Sequence, residues 1–285
     1  MFLDAKTIIV ALILTCWLMI LAQIGAYAGK FRDGVGKWTM GLLLISLANV
    51  FILERGIIPV PLFLSIIISN VLLATGNSFG YAAVCEFIHR RANPLILFGP
   101  PFALAVAVLI ISESVPGRTF ALGFIIGMQD VAIVYLILRD SIIQGYRMRW
   151  LLFAGFMSGV FIYLGRALGA ILLPEDFQII LSGNIVNAIT LFFGFFSLIL
   201  ISLGFILLSR EKIDMQNQRT AAELKERIRL TTLAAEISRT MVTDLSLQEI
   251  LKHCTDFLVQ HLEMALARTW ILNRIWNCKT KQWIY

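Results

Sequence analysis

Charge is scarce in this 285-residue chain: Asp, Glu, Lys and Arg make up 15% of it, against 59% hydrophobic residues. Soluble domains are about a quarter charged and about half apolar, so both figures are displaced in one direction. With a mean hydropathy of +0.83, the composition excludes a soluble globular enzyme and excludes disorder. Cysteine is also sparse. Cys16 and Cys85 fall in apolar runs and Cys254 and Cys278 in the C-terminal part, with no close pairing of the zinc or redox kind and no disulfide framework. The three histidines, His89, His253 and His261, do not supply two ligands at membrane depth, which argues against a haem-binding bundle. His253 and His261 read as partly exposed histidines of one helix. No phosphoacceptor His-Glu context, Gly-rich ATP lid or Gly-Gly-Asp/Glu-Glu-Phe signature is present, so no catalysis is expected of this chain as it stands. No metal or cofactor is expected either.

What charge there is lies unevenly. Residues 1–208 hold 12 basic and 9 acidic residues, and residues 209–285 hold the other 12 and 9. Three quarters of the chain carries half the charge, the signature of a membrane domain followed by a soluble tail. The net +6 divides evenly between them, so neither part is marked as a nucleic-acid binder. Apolar runs near the roughly 20 residues that span a bilayer as a helix occur seven times. They are Thr7–Ala28, Trp38–Ile57, Pro61–Phe87, Pro94–Ser112, Phe120–Leu138, Trp150–Leu173 and Ile179–Leu208. Charge or turn signals separate them, among them Pro116-Gly117-Arg118 and the stretch from Arg139 to Arg149. Glu54 and Arg55 near the end of the second run read as interfacial, or as the sign of a short helix. Pro100-Pro101 should kink or split the fourth.

Orientation follows from the basic residues in the short loops. Lys30, Arg32, Lys37, Arg90, Arg91, Arg139, Arg147 and Arg149 lie on one side, against Lys6, Arg55 and Arg118 on the other. Eight against three places the N-terminus outside and the tail in the cytoplasm. A cleaved signal peptide is the competing reading of the first run, because Ala26-Tyr27-Ala28 fits a small-x-small site. It is disfavoured: the run is long and its positive charges follow it.

Ionisable residues within such spans are costly and usually face the bundle interior. Glu86 lies near the cytoplasmic end of span three, beside His89, and reads as interfacial. Asp130 and Arg166 lie in neighbouring spans five and six at apparent depths within about 5 Å of each other, so they form a candidate intramembrane pair. A register-fixing ion pair is the blander reading and a ligand-responsive site the sharper one. Asn70, Asn77, Gln129, Asn184 and Asn187 add amides suited to hydrogen bonds between helices. Gly123-x-x-x-Gly127 and Gly165-x-x-x-Gly169 would allow close helix approach.

After Leu208 the sequence turns abruptly to Ser209-Arg210-Glu211-Lys212 and a charged, helix-favouring stretch, with neither Gly nor Pro from residue 205 to the end. The last span therefore runs directly into a further helix, residues 209–243. A soft seam through Ala221, Leu224, Ile228, Thr231, Ala235, Ser238 and Val242 fits either a dimeric signalling helix or a solvated amphipathic one. Ser246 with Glu249 forms a capping box for the next helix.

The stretch LAAEISRTMVTDLSLQEILKHCTDFLVQHLEMALARTWILN, Leu233–Asn273, resembles the opening of a GAF domain of the kind found in bacterial sensor histidine kinases and diguanylate cyclases. The resemblance covers 41 residues and implies a sheet flanked by helices. No pocket motif of that family can be carried over. After Asn273 the sequence departs from the family, and residues 244–285 are too few for a stable core, so a truncated domain is expected. The fold expected is an all-α polytopic bundle (1–208), a signalling helix (209–243) and an incomplete α/β GAF-like segment (244–285). The function the resemblance implies is a sensory input module in the lipid bilayer whose output region, kinase or cyclase, is missing, and which can form a homodimer through residues 209–243. Its signal ligand is unspecified. A small transporter with an incidental tail is the alternative, weakened by the lack of internal repeats and paired broken helices.

Overall fold

The computed structural model describes residues 5–27, 33–55, 61–111, 113–175 and 185–242, with Glu249, Leu251 and Lys252 beyond them. Regular structure among these residues is helical throughout: α1 (Ala5–Tyr27), α2 (Val35–Leu53), α3 (Leu62–Phe87), α4 (Pro94–Ile110), α5 (Val115–Arg139), α6 (Ser141–Gln144), α7 (Arg149–Leu172) and α8 (Ile185–Val242). Six are long and apolar enough to cross a membrane, and α4 is a shorter apolar helix. This is the build of a multi-span membrane protein. The expected GAF-like segment 244–285 lies outside the described residues apart from the three just named, as do Asn184, His253 and His261.

The chain divides into two compact units, Met1–Lys212 and Ile213–Tyr285. In the first, α4 runs back along α3. The backbone N–H of Asn93, before α4, donates to the hydroxyl of Tyr81 late in α3 (3.3 Å). Leu104 and Val108 near the other end of α4 pack with Ile66 of α3 and Ala121 of α5. The segments just past α3 and α5 meet in turn, through an Arg90–Asp140 ion pair of 2.9 Å. Thus α3 and α5 run parallel with α4 antiparallel between them, and α4 carries the chain from one end of the bundle to the other. Its 17 residues span about 25 Å at 1.5 Å per residue. Pro100 and Pro101 lie inside it, and it is a single helix rather than two.

Two other expectations are corrected. Pro116-Gly117-Arg118 is no break: α5 starts at Val115, with Ser114 as N-cap accepting from the Gly117 N–H (3.1 Å). Proline is tolerated there because first-turn N–H groups have no helical partner. The stretch from Arg139 to Arg149 likewise contains a helix, α6, whose cap is the buried Asp140, accepting from Ile142 N–H at 2.9 Å.

Close packing depends on small residues. A Cβ on Gly41 would lie 2.8 Å from the Gly76 carbonyl, which fixes the α2–α3 crossing. Gly123 sits equally tightly against the Tyr163 carbonyl of α7, as the Gly123/Gly127 spacing anticipates. Gly165 does not follow its own spacing: nothing lies within 4 Å of its Cβ position. At one end of the bundle Trp38 stacks on Phe205 (4.8 Å) and meets Phe156 edge-on (6.3 Å). Elsewhere large apolar side chains such as Leu14, Phe102 and Phe161 stand exposed on the outer surface, which suits hydrocarbon and not water.

At that aromatic end Lys212 of α8 is gripped. Its Nζ donates to Asp33 Oδ1 (2.7 Å) and to the Phe87 carbonyl (3.2 Å), lies 3.3 Å from His89 Nε2, and sits over the Phe87 ring. Asp33 (φ 55°), Gly34 (φ 84°) and His89 (φ 57°) adopt left-handed backbone to present these groups. The neighbouring Glu211 accepts from the backbone N–H groups of Arg147 and Met148, each at 3.0 Å, before α7. In the second unit, the described part of α8 is a charged helix on which Leu224 and Ile228 are exposed.

Candidate functional site: a polar cavity within the bundle

The polar residues of the spans gather around a cavity of about 150 Å³ in the first unit, walled by α1, α2, α3, α5, α7 and α8. Asp130 sits on α5, 2% exposed, where its Oδ1 accepts from Asn77 Nδ2 of α3 (2.9 Å). Its other oxygen lies against α7: a Cβ at Gly159 would be 2.5 Å from Oδ2. Only glycine admits the carboxylate at that level. Gln129, next in sequence, turns to α3 instead, donating to Ser78 Oγ (2.8 Å) and the Ala74 carbonyl (3.3 Å). Two consecutive polar residues of α5 thus tie the same α3 segment.

Arg166 of α7 is buried and donates to Asn187 Oδ1 of α8 (3.3 Å). Asp130 and Arg166 face the same cavity, each with its own amide partner. The equal depths expected from the sequence rested on a span starting at Phe120. The helix starts at Val115, which moves Asp130 a further five residues in. Asp130 lies level with Gly159, and Arg166 is seven residues along α7 from it, about 10 Å at 1.5 Å per residue. Both side chains line the one cavity.

Arg55 also lines the cavity, although it reads as interfacial in the sequence. It follows the last turn of α2 and donates through Nη2 to Ser69 Oγ (2.6 Å), while its Nε is buried without a hydrogen-bond partner. Asn70 and Asn77 line the cavity as expected for inward amides, and Asn49 and Tyr163 join them unforeseen. Asn49 spends its amide on the Ile45 carbonyl of its own helix (2.8 Å), the local bond open to such residues in a helix. Glu86 is elsewhere: it pairs with Lys37 at 2.8 Å, both ends substantially exposed, a contact worth little by itself.

The cavity is therefore amphiphilic. Leu12, Ile45, Leu73, Leu122 and Ile126 supply apolar wall, and Arg55, Arg166 and Asp130 carry a formal charge of +1 when all are ionised. A cavity of this polarity suits a small polar or charged guest, or bound water. No cluster of three or more His, Cys, Asp or Glu able to hold a metal ion occurs among the described residues. Comparisons of the chain with protein-family models, with curated proteins and with solved structures found no match.

Proposed function

We propose that this chain is the sensory input part of a bacterial membrane signalling protein, with the cavity as its responsive site and α8 as its output. A single observation supports the reading most. Helix α8 contributes Thr190, Gly194 and Ser197 to the cavity wall, and the same helix continues unbroken to Val242. Any change of cavity occupancy acts on side chains of the element that leaves the bundle. In this reading seven helices cross the inner membrane, α4 included, with the N-terminus outside and residues 209–243 in the cytoplasm. Exposed Leu224 and Ile228 suit a homodimer seam in that helix. The GAF resemblance names the kind of output, kinase or cyclase, that such a helix drives.

The test is helix phasing. Residues 1–242 are fused to a histidine kinase or diguanylate cyclase catalytic region, and one to four alanines are inserted after Ala221. Each insertion rotates the output by about 100°. Output activity should rise and fall with a period near that of the helix, about 3.6 residues. Activity indifferent to insertion would overturn the signalling reading and leave the transporter alternative in its place.

A further inference from the structure

Lys212 is held by three acceptors. An ammonium has three N–H donors and accepts nothing. Here they meet Asp33 Oδ1, the Phe87 carbonyl and His89 Nε2, at 2.7, 3.2 and 3.3 Å. Nε2 can take part only through its lone pair, so the clasp requires a neutral His89 with its proton on Nδ1. The lysine is 5% exposed, whereas the histidine stands open to water. The backbone supplies a second observation. Among the described residues, Asp33 and His89 are the non-glycine positions with positive φ, 55° and 57°. Both belong to this one cluster. Left-handed backbone at such residues persists only where the surroundings over-determine it, and here the ammonium between them does so.

We propose that His89 is a proton-operated release of this clasp: a proton taken from water onto Nε2 frees Lys212 and loosens the hold on α8. The inference regulates the output helix and rests on the input-module reading for that consequence alone; its chemistry stands on the cluster itself. Protonation acts twice. It uses up the lone pair, so one of the three hydrogen bonds of the ammonium is lost. It also places an imidazolium 3.3 Å from a buried ammonium, and like charges so close repel. The other carboxylates near this end already have partners. Glu86 of α3 pairs with Lys37 of α2, and Asp140 at the start of α6 pairs with Arg90. Glu211 of α8 accepts from the backbone N–H groups of Arg147 and Met148. Asp33 would then face two cations with one carboxylate. The sign follows. Neutral His89 is the form that the clasp holds, so its contribution is present above the ordinary histidine range, about 6.5, and is lost as the pH falls through it.

The experiment uses the full chain in detergent micelles, with His253→Gln and His261→Gln so that His89 is the histidine that remains. Nitrogen NMR of the ring-labelled histidine, recorded well above its titration at about pH 8, should show the Nδ1–H tautomer. Lys212→Met should return the ring to the Nε2–H form that a free side chain favours. Unfolding in dodecyl sulfate is then followed from about pH 8 down to about pH 5.5, across the histidine range. The folded-to-unfolded ratio should fall about tenfold further than it does in His89→Asn, the effect of losing one hydrogen bond to a charged group. Asparagine tolerates the left-handed backbone and offers an amide oxygen that takes no proton. Lys212→Met, with no ammonium to repel, should lose the same pH dependence. An Nε2–H ring at the higher pH overturns the proposal, as does a pH dependence that His89→Asn leaves in place. If His89→Asn does not fold, the tautomer and Lys212→Met decide. Neither result touches helix phasing, so a wrong release mechanism and a wrong function are told apart.

Discussion

Replacing Lys212 by methionine keeps most of the aliphatic stem and removes only the ammonium. The structure makes that loss expensive. The side chain is 5% exposed, and the ammonium meets a carboxylate, a backbone carbonyl and a ring face. Breaking a fully buried pair costs about 3–5 kcal/mol, whereas exposed pairs contribute about 0–1. Asp33 is 30% exposed, so water recovers part of its solvation once the lysine is gone. A hydrogen bond involving a charged group contributes about 1.5–3 kcal/mol. The value expected for Lys212→Met is therefore between the two limits, about 2–3 kcal/mol. Equilibrium unfolding of the detergent-solubilised protein in rising dodecyl sulfate, followed by circular dichroism, reads it directly. A cycle with Asp33→Asn should return a coupling of about 1–2 kcal/mol, and Lys225→Met on the exposed part of α8 should be near neutral. If Lys212→Met falls within about 0.5 kcal/mol of the parent, the ammonium is solvated rather than gripped and the reasoning fails.

Gly159→Val drives a side chain into the Asp130 carboxylate and should destabilise by about 1–3 kcal/mol in the same assay, while Gly165→Ala, with open space around it, should be neutral or slightly stabilising. A double-mutant cycle on Asn77→Leu and Asp130→Leu should show a favourable coupling of about 0.6–1.7 kcal/mol, the range for hydrogen bonds between membrane helices. Strict additivity would mean that the two side chains do not meet. A reporter fused after Leu208 should behave as cytoplasmic and one fused between Pro174 and Gln178 as periplasmic; the reverse would refute the orientation drawn from basic loop residues.

The helices were legible because a bilayer span leaves little freedom: every backbone group must bond within the segment, so a long run with little charge is a helix. Expected and observed limits differ by a few residues for α1 to α4 and α7. The misreadings at α5 and α6 share one cause. Pro116, Arg118 and Asp140 look like chain breaks, yet first-turn proline and N-cap aspartate begin helices as readily as they end them. The inward set was partly legible, because Asn70, Asn77, Gln129, Asp130 and Arg166 are polar where the surroundings are not. Which of them meet was not. Pairing depends on depth and on direction around the helix axis, and the start of α5 lies five residues before the run that marks it in the sequence. The grip on Lys212 lay beyond reach of the sequence. Its partners Asp33 and Phe87 stand 179 and 125 residues away, and Ser209-Arg210-Glu211-Lys212 looks like any solvated run leaving a membrane.

The helix pair α7–α8 gives these parts a common mechanical sense. It is tied at one end, where Glu211 accepts from Arg147 and Met148 and Lys212 holds Asp33. Just beyond, Gly155 and Gly204 bring the two backbones together, and Ser197 Oγ donates to the Gly155 carbonyl (2.8 Å). Further along, Phe161, Gly165, Ile189 and Phe193 line a groove of about 700 Å³ between the two helices, and Arg166 donates to Asn187 at that end. From Ser197 to Lys212 is 15 residues, about 22 Å of helix. If α8 carries a signal as proposed, any displacement of it at the cavity level must strain the four charge-assisted hydrogen bonds made by Glu211 and Lys212, so Lys212→Met should lower the displacement needed for output rather than abolish the response.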